Sequence, residues 1–358
     1  MQIPFFDLVR QNRALEADYQ KIFKRFLEMG QTILGEEVLA FEREFSVYTG
    51  SKYCVTCGNA TDALEIVLAS MGIGPGDEVI VPSFGWVSVV SAVLNQGSTP
   101  VFVDVKLDGN IDPQLIIKKI SARTKAILLI HLYGHPADIK EIRSISKSSG
   151  IRLIEDCAQA HGARVDDIHV GNFGDIGIFS FYPTKNLGAL GDAGAIITNN
   201  VELSTRFREL RDYGRNNQNE FNSIGRNSRM DELQAAILRF KLQQLDRWIS
   251  LRRNIANQYN EVLGDYIKAK DSVWYKYVFL VKDRPSVIKK LSQKGIHTGI
   301  YYPFQLDNLG FYPSGKPSLS IAEKLSNTTL SLPLFPEMTN EEISYICEEL
   351  ISIKKYTL

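Results

Sequence analysis

Lys185 lies in SFYPTKNLGALGD, just past the apolar run IGIFS and inside a glycine-rich loop rather than on an amphipathic face. Asp156, 29 positions earlier, closes another apolar run, RLIED. Each has an ordinary explanation when taken alone: a surface lysine, and a capping or salt-bridging acid at the end of a strand. Together they answer the needs of one cofactor. Pyridoxal 5'-phosphate requires an amine to form its imine. It also requires a carboxylate to keep its pyridine nitrogen protonated, so that the ring can accept the electrons of a carbanion.

The cofactor has two further handles. Its phosphate wants N–H donors, and in CGNATDALEIVL the turn Asn59-Ala60-Thr61 opens a helix whose first N–H groups and positive dipole end favour an anion. The same turn is an ordinary N-cap, and both readings hold at once. Ser180 offers a hydroxyl from the end of the strand before Lys185. Trp86, in VPSFGWVSVV, stands where an aromatic plane can cover the ring, and a core tryptophan fits the position equally. Tyr182, Tyr213, Tyr301 and Tyr302 are candidates for a substrate pocket or for core. Arg229 suits a substrate anion or a solvated helix start.

These side chains need a frame. From about residue 78 to 200 the chain alternates short apolar runs with helix-like stretches, the pattern of an α/β sheet. The candidate strands are EVIVP, PVFVDV, AILLIHLYG, RLIEDCAQ, IGIFSF and AGAIITN. Several are apolar at nearly every position, as strands covered on both faces are, so the sheet should be mostly parallel. Acids at the carboxyl edge of such a sheet stand where open α/β folds bind ligands. Helices are expected at 60–71, 86–96, 112–120, 136–149, 201–212 and 229–261, the last one long, without Gly or Pro, and able to bridge two domains. Beyond Gly264 the elements shorten to VWYKYVFLV, a helix near 285–294, HTGIYYPF and a closing helix at 340–354. The reading is a large domain over 1–245 and a smaller α+β domain over 246–358.

A chain of 358 residues with 44% hydrophobic content can bury a core of this size. Its 41 basic and 41 acidic residues cancel, which argues against a nucleic-acid or anionic-membrane partner and favours small molecules. No secretion signal or membrane span is visible, so a cytoplasmic location is expected. Cys54 and Cys57 form a lone CxxC without a second ligand pair, so they read as buried thiols in a strand rather than a metal site. His131, His135, His161, His169 and His297 share no ligand spacing, so no metal is expected. The glycines Gly72, Gly74 and Gly76 lie between helix and strand, the reverse of a dinucleotide loop, and read as a turn.

NATDAL, PSFGWVS, HLYGHPAD, IEDCAQAHGA, SFYPTKNLGALGDAGAIITN and GRNSRMDELQAAIL, in this order along nearly the whole chain, resemble the DegT/DnrJ/EryC1/StrS aminotransferases. That family moves an amino group onto nucleotide-linked keto-sugars. The resemblance implies an aspartate-aminotransferase-like fold (PLP fold type I) and a homodimer with shared active sites. In it Lys185 is the Schiff-base lysine, Asp156 the partner of the pyridine nitrogen, Gln159 the neighbour of the ring hydroxyl, and Trp86 the stacking ring. Ser180, Ala60 and Thr61 hold the phosphate, and Asn227 reaches the phosphate in the other subunit.

Two departures stand out. Ala60 and Ala193 occupy positions where the family usually has Gly, and Tyr275 or Lys276 stands where relatives often carry His, so sugar contacts there do not transfer. Lys185 argues against the branch that replaces this lysine with histidine and dehydrates its sugar. GRNSRMDELQAA, with Ser228 and Asp231, is closer to members that aminate C3 than to C4 members. The expected reaction is therefore transfer from L-glutamate to a nucleotide-linked 3-keto-6-deoxyhexose. A 4-keto sugar aminotransferase and a non-catalytic regulator that binds the cofactor or a sugar nucleotide are the rivals; intact Lys185, Asp156 and Gln159 weigh against the latter.

Overall fold

The computed structural model describes residues 1–264, 271–313 and 319–358. Its strands are β1 (Tyr53–Cys57), β2 (Glu78–Pro82), β3 (Thr99–Val103), β4 (Thr124–Ile130), β5 (Arg152–Asp156), the two-residue hairpin β6 (Arg164–Val165) and β7 (Ile168–His169), β8 (Ile176–Ser180) and β9 (Gly194–Thr198). Seven of them form the central sheet in the order β1-β9-β8-β5-β4-β2-β3. Neighbours from β8 through β3 pair in parallel, while β9 runs against both β8 and β1. All strands of this sheet but β9 therefore point the same way, and their carboxyl ends share one edge.

Helices α1 (Leu8–Met29), α2 (Glu36–Thr49), α3 (Ala60–Ser70), α4 (Ser88–Asn95), α5 (Pro113–Ile116), α6 (Ile139–Ser149), α7 (Val201–Leu210), α8 (Glu232–Leu242) and α9 (Leu245–Leu263) surround it. Alternate strand residues face opposite sides. Val79, Val81, Leu128 and Ile178 pack with α3, α4 and Phe207 of α7, whereas Ile80, Ile127 and Leu129 pack with α5 and α6. Phe179, Ala195 and Ile197 meet Phe41 and Phe45 of α2 and Leu238 of α8. Covering both faces is what the near-continuous apolar strands required.

The C-terminal part contains β10 (Tyr277–Leu280), α10 (Arg284–Gln293), the short pair β11 (Asn308–Leu309) and β12 (Tyr312–Pro313), α11 (Ser320–Thr328), β13 (Thr329–Leu332) and α12 (Asn340–Ile353). β10 and β13 pair antiparallel. A second core gathers Ile255, Tyr259 and Leu263 of α9 with Phe279, Leu330, Ile346 and Leu350, and Ile3 joins it from the N-terminus. Leu245 and Ile249 belong instead to the core under α2. We propose that the smaller unit begins within α9 rather than at its first residue.

Three sequence expectations change. The single helix over 229–261 is broken at Gln243-Gln244 into α8 and α9, although neither residue is Gly or Pro. The Gln244 N–H reaches back only to the Lys241 carbonyl (3.0 Å), so the helix ladder is interrupted. Packing imposes the break, since α8 lies on α2 and α9 on α12. HTGIYYPF forms no strand: Gly299 exchanges two backbone bonds with Ser331, and the chain then leaves, with Pro303 unable to donate. Helices α1 and α2 were not anticipated.

Candidate active site

The carboxyl edge of the sheet gathers the chemistry. Trp86 follows β2, Asp156 ends β5, Ser180 ends β8, and the turn Asn59-Ala60 follows β1. Lys185 rides a compact loop. Its N–H bonds to the Tyr182 carbonyl (2.8 Å), and Ala189 N–H closes the loop on the Phe181 carbonyl (2.8 Å). Gly188 is obligatory there, because a Cβ would stand 2.3 Å from the Pro183 carbonyl oxygen. Asn186 Nδ2 donates to the Val273 carbonyl (3.0 Å), and Lys241 Nζ donates to the Gly188 carbonyl (2.5 Å), so the loop is fastened from both sides.

Asp156 is buried. Its Oδ1 accepts the Ala158 N–H at 2.9 Å, and no hydrogen bond to Oδ2 occurs among the described residues. Burial raises the carboxyl above its ordinary value, against the Ala158 N–H and the Lys185 ammonium, which favour the charged form. Gln159 is buried next to it, its Oε1 accepting the Tyr133 N–H (2.8 Å) and its Nε2 donating to the Tyr302 hydroxyl (3.0 Å). Tyr302 is buried and lies 5.7 Å from the Trp86 ring, centroid to centroid, while Trp86 itself is 50% exposed. Trp86 is thus not a core residue in this chain. Its free face is available to a ligand at the sheet edge.

The anion cradle is equally compact. Asn59 caps α3 by accepting the Asp62 N–H (2.8 Å), which leaves the N–H groups of Ala60 and Thr61 without partners inside the helix. Ser180 is the register partner of Gly194, and a Cβ on Gly194 would come within 2.6 Å of the Asn59 carbonyl carbon. The hydroxyl and the helix start are therefore held against each other across β9. Neither Ala60 nor Ala193 has positive φ, so the methyl groups that replace glycine cost no backbone strain.

Tyr213, Asn227 and Arg229 form a separate group. Arg229 pairs with Asp212 (3.1 Å) and lies over the Tyr213 ring (5.5 Å), and Asn227 is exposed and bridges Asp212. The Ser228 hydroxyl accepts the Gly58 N–H (3.0 Å), which ties this loop to the β1–α3 turn. Tyr182 is half exposed beside Lys185. Tyr301 stacks on Phe5 (5.6 Å), and its carbonyl accepts the Tyr133 hydroxyl.

Two residues near Lys185 were not singled out as site residues from sequence. Lys276 and Arg252 are both buried, and they line one cleft with Lys185, Thr184, Phe6 and Glu337. Burial would raise the Tyr275 phenol, but the Lys185 and Lys276 ammonium groups outweigh it and hold it at about 8. The legible signal was a lysine interrupting the aromatic run VWYKYVF.

His131, Glu155 and Cys157 bring their ligand atoms within 4.8 Å of one another. Those atoms are already engaged. His131 Nδ1 accepts the Ala137 N–H, so Nε2–H donates to Glu155 (3.0 Å), whose oxygens also take the Gly171 and Gly174 N–H groups. The cluster braces the strand end carrying Asp156.

The residues at this edge suit pyridoxal phosphate: an amine on a fastened loop, a buried acid with an open oxygen, a half-exposed indole, and a hydroxyl beside a helix N-terminus. Lys185, Asp156, Trp86, Ser180, Ala60 and Thr61 would hold it. Among the described residues no helix is long and apolar enough to cross a membrane.

Comparison with known proteins agrees with this picture. A family model described as the DegT/DnrJ/EryC1/StrS aminotransferase family matches residues 13–351. The dTDP-3-amino-3,6-dideoxy-alpha-D-galactopyranose transaminase of Aneurinibacillus thermoaerophilus is 43% identical, over 97% of this chain and 98% of its own. S. venezuelae DesV, solved in complex with a ketimine intermediate, superposes with a TM-score of 0.95 at 37% identity, covering 99% of both chains. NtdA from Bacillus subtilis, with bound cofactor PMP, gives 0.93 at 32% identity over 99% of this chain and 85% of its own.

Proposed function

The chain belongs to the DegT/DnrJ/EryC1/StrS aminotransferase family, and on that premise we propose that it moves an amino group from L-glutamate to C3 of a nucleotide-linked 3-keto-6-deoxyhexose. The meeting of Lys185 and Asp156 at one sheet edge carries the reading, since the Lys185 charge is felt at the Asp156 carboxyl. The transaminase name of the Aneurinibacillus relative, with its 3-amino product, supports the choice of C3, as does the GRNSRMDELQAA motif.

Pyridoxal phosphate, when bound, supplies the electron sink that makes the donor's α-proton acidic. Lys185 Nζ then takes that proton from the donor carbon and delivers one to the sugar carbon in the return half, acting as base and acid in turn. Asp156 would hold positive charge at the ring nitrogen. The Gln159–Tyr302 bond and the Trp86 face limit where a ring can lie. Ser180 and the start of α3 anchor the anionic end, each charge-assisted bond contributing about 1.5–3 kcal/mol. We also propose a homodimer in which Asn227 completes the partner's site.

Lys185→Ala should remove the visible absorbance of the imine made with the Lys185 amine, read in the absence of donor, and slow nitrogen transfer from glutamate about a thousandfold or more. Survival of both would sink the assignment. Incubation with 3-keto and 4-keto nucleotide sugars, the new amine being located by NMR, decides the carbon; amination of C4 alone would overturn the preference.

A further inference from the structure

Lys276 is 5% and Arg252 6% exposed, yet neither has an ion-pair partner among the described residues. Among the described residues the Lys276 ammonium has no hydrogen-bond partner and lies over aromatic rings: Phe5 at 4.7 Å, Phe6 at 5.5 Å, Tyr275 at 4.6 Å and Tyr301 at 5.0 Å. Arg252 donates through Nη1 to the Leu334 carbonyl (2.9 Å), and its Nε has no partner. Two carboxylates line the same cleft. Asp7 is engaged by Arg10 (3.2 Å); Glu337, held by the neutral Gln11 amide (3.0 Å), favours the Arg252 charge from beyond contact and leaves Lys276 without a carboxylate of its own.

Burying uncompensated charge is costly unless something neutralises it. Cation–π contacts return part of the cost but supply no counter-charge. Burial pushes Lys276 down to about 8, and the Lys185 and Lys276 ammonium groups draw the Tyr275 phenol down despite its own burial. A cleft of this kind is built to receive an anion.

Its position says which one. Lys185 Nζ also lies 4.6 Å from the centroid of the Tyr275 ring, so the Lys185 and Lys276 ammonium groups are separated by at most twice that distance. An amino acid whose amine comes to the place of the Lys185 amine carries its carboxylates within that span. The Ser180 and Ala60 donors, on the α3 side, are already matched to a phosphate. We propose that Lys276 and Arg252 form a carboxylate subsite for the amino donor. This rests on the aminotransferase reading and makes the donor a carboxylated amino acid rather than a simple amine.

A uronic sugar would present the same chemical group, and the arms of the test separate the two sources. Glutarate, a dicarboxylate without an amine, is titrated calorimetrically into wild type, Lys276→Met and Lys276→Arg, and glutamate and nucleotide-sugar KM values are measured on the same proteins. The expected result is at least tenfold weaker glutarate binding and at least tenfold higher glutamate KM for Lys276→Met. The sugar KM should stay within twofold, and Lys276→Arg should recover much of the loss. Unchanged glutarate binding in a folded Lys276→Met protein overturns the subsite while leaving transamination standing. A rise confined to the KM of a carboxylated nucleotide sugar overturns the donor assignment. If glutarate binding depends on Lys276 but no amino transfer occurs, the subsite survives and the aminotransferase reading fails.

Discussion

Burial holds His135 and His161 down at about 3 and His169 at about 4, so all three are neutral in the folded chain at physiological pH. An unfolded imidazole titrates near 6.5. Folded values lie below the unfolded one, so the unfolded state binds the extra protons. Their contribution to stability is complete above pH 6.5 and is lost as the pH falls from there toward 3 to 4. Over the first unit below 6.5 each should forfeit about 1 kcal/mol. Asp156, raised by burial, acts in the opposite sense and offsets part of the loss as the pH falls. Urea midpoints at pH 7.0, 6.0 and 5.0 should fall steadily, and His161→Phe, placed between Phe179 and Phe181, should flatten that slope. A midpoint independent of pH across this window would contradict neutral buried imidazoles.

At the level of elements, Glu42 ties α2 to β1 and α7. Its carboxylate accepts the Thr56 N–H and hydroxyl (2.9 Å each), Arg211 (2.6 Å) and Arg208 (2.6 Å), all but out of water. Burial would raise its carboxyl, but the two guanidinium groups hold it below the ordinary value. Glu42→Gln leaves Arg211 buried without a counter-charge and should cost about 3–5 kcal/mol in chemical denaturation. The central strands were legible in the sequence because burial on both faces leaves an unbroken apolar run, as in EVIVP and IGIFS. Asn59 and Asp112 announced their helices through side chains that bond the backbone two or three residues on. α1 carried a helical signal that was not taken up, since Asp7 caps it and the half-buried Leu8, Leu15, Tyr19, Ile22 and Phe26 recur at helical spacing. The break at Gln243-Gln244 was not legible, because tertiary packing and not local chemistry stops the helix. Asp156 and Ser180 could be found because each ends an apolar strand, and Lys185 because it stands in the glycine-rich loop just beyond one. Arg252 could not, because one arginine inside a helix carries no sign that its outlet will be closed by Phe335 and the N-terminal segment.

On the scale of the whole molecule, exposed apolar residues gather where Asn227 lies. Ile224 is 96% and Phe221 68% exposed on the same loop, and α1 exposes Val9, Phe23 and Leu27. A second copy of the chain would cover such surface, and a symmetric pair places the same loop into both sites. If Asn227 serves the partner's phosphate, defects in Lys185 and Asn227 lie in one site when they come from different chains, and the other site of that pair is intact. Lys185→Ala and Asn227→Asp should each be nearly inactive alone, the second because a carboxylate faces a phosphate. Dissociated, mixed in equal amounts and reassociated, half of the pairs are hybrids with one sound site each, so activity should return to about a quarter of wild type. Activity no greater than the sum of the two parents, with hybrid pairs demonstrated by native mass spectrometry, would mean that each site is built from a single chain and that Asn227 acts within its own subunit.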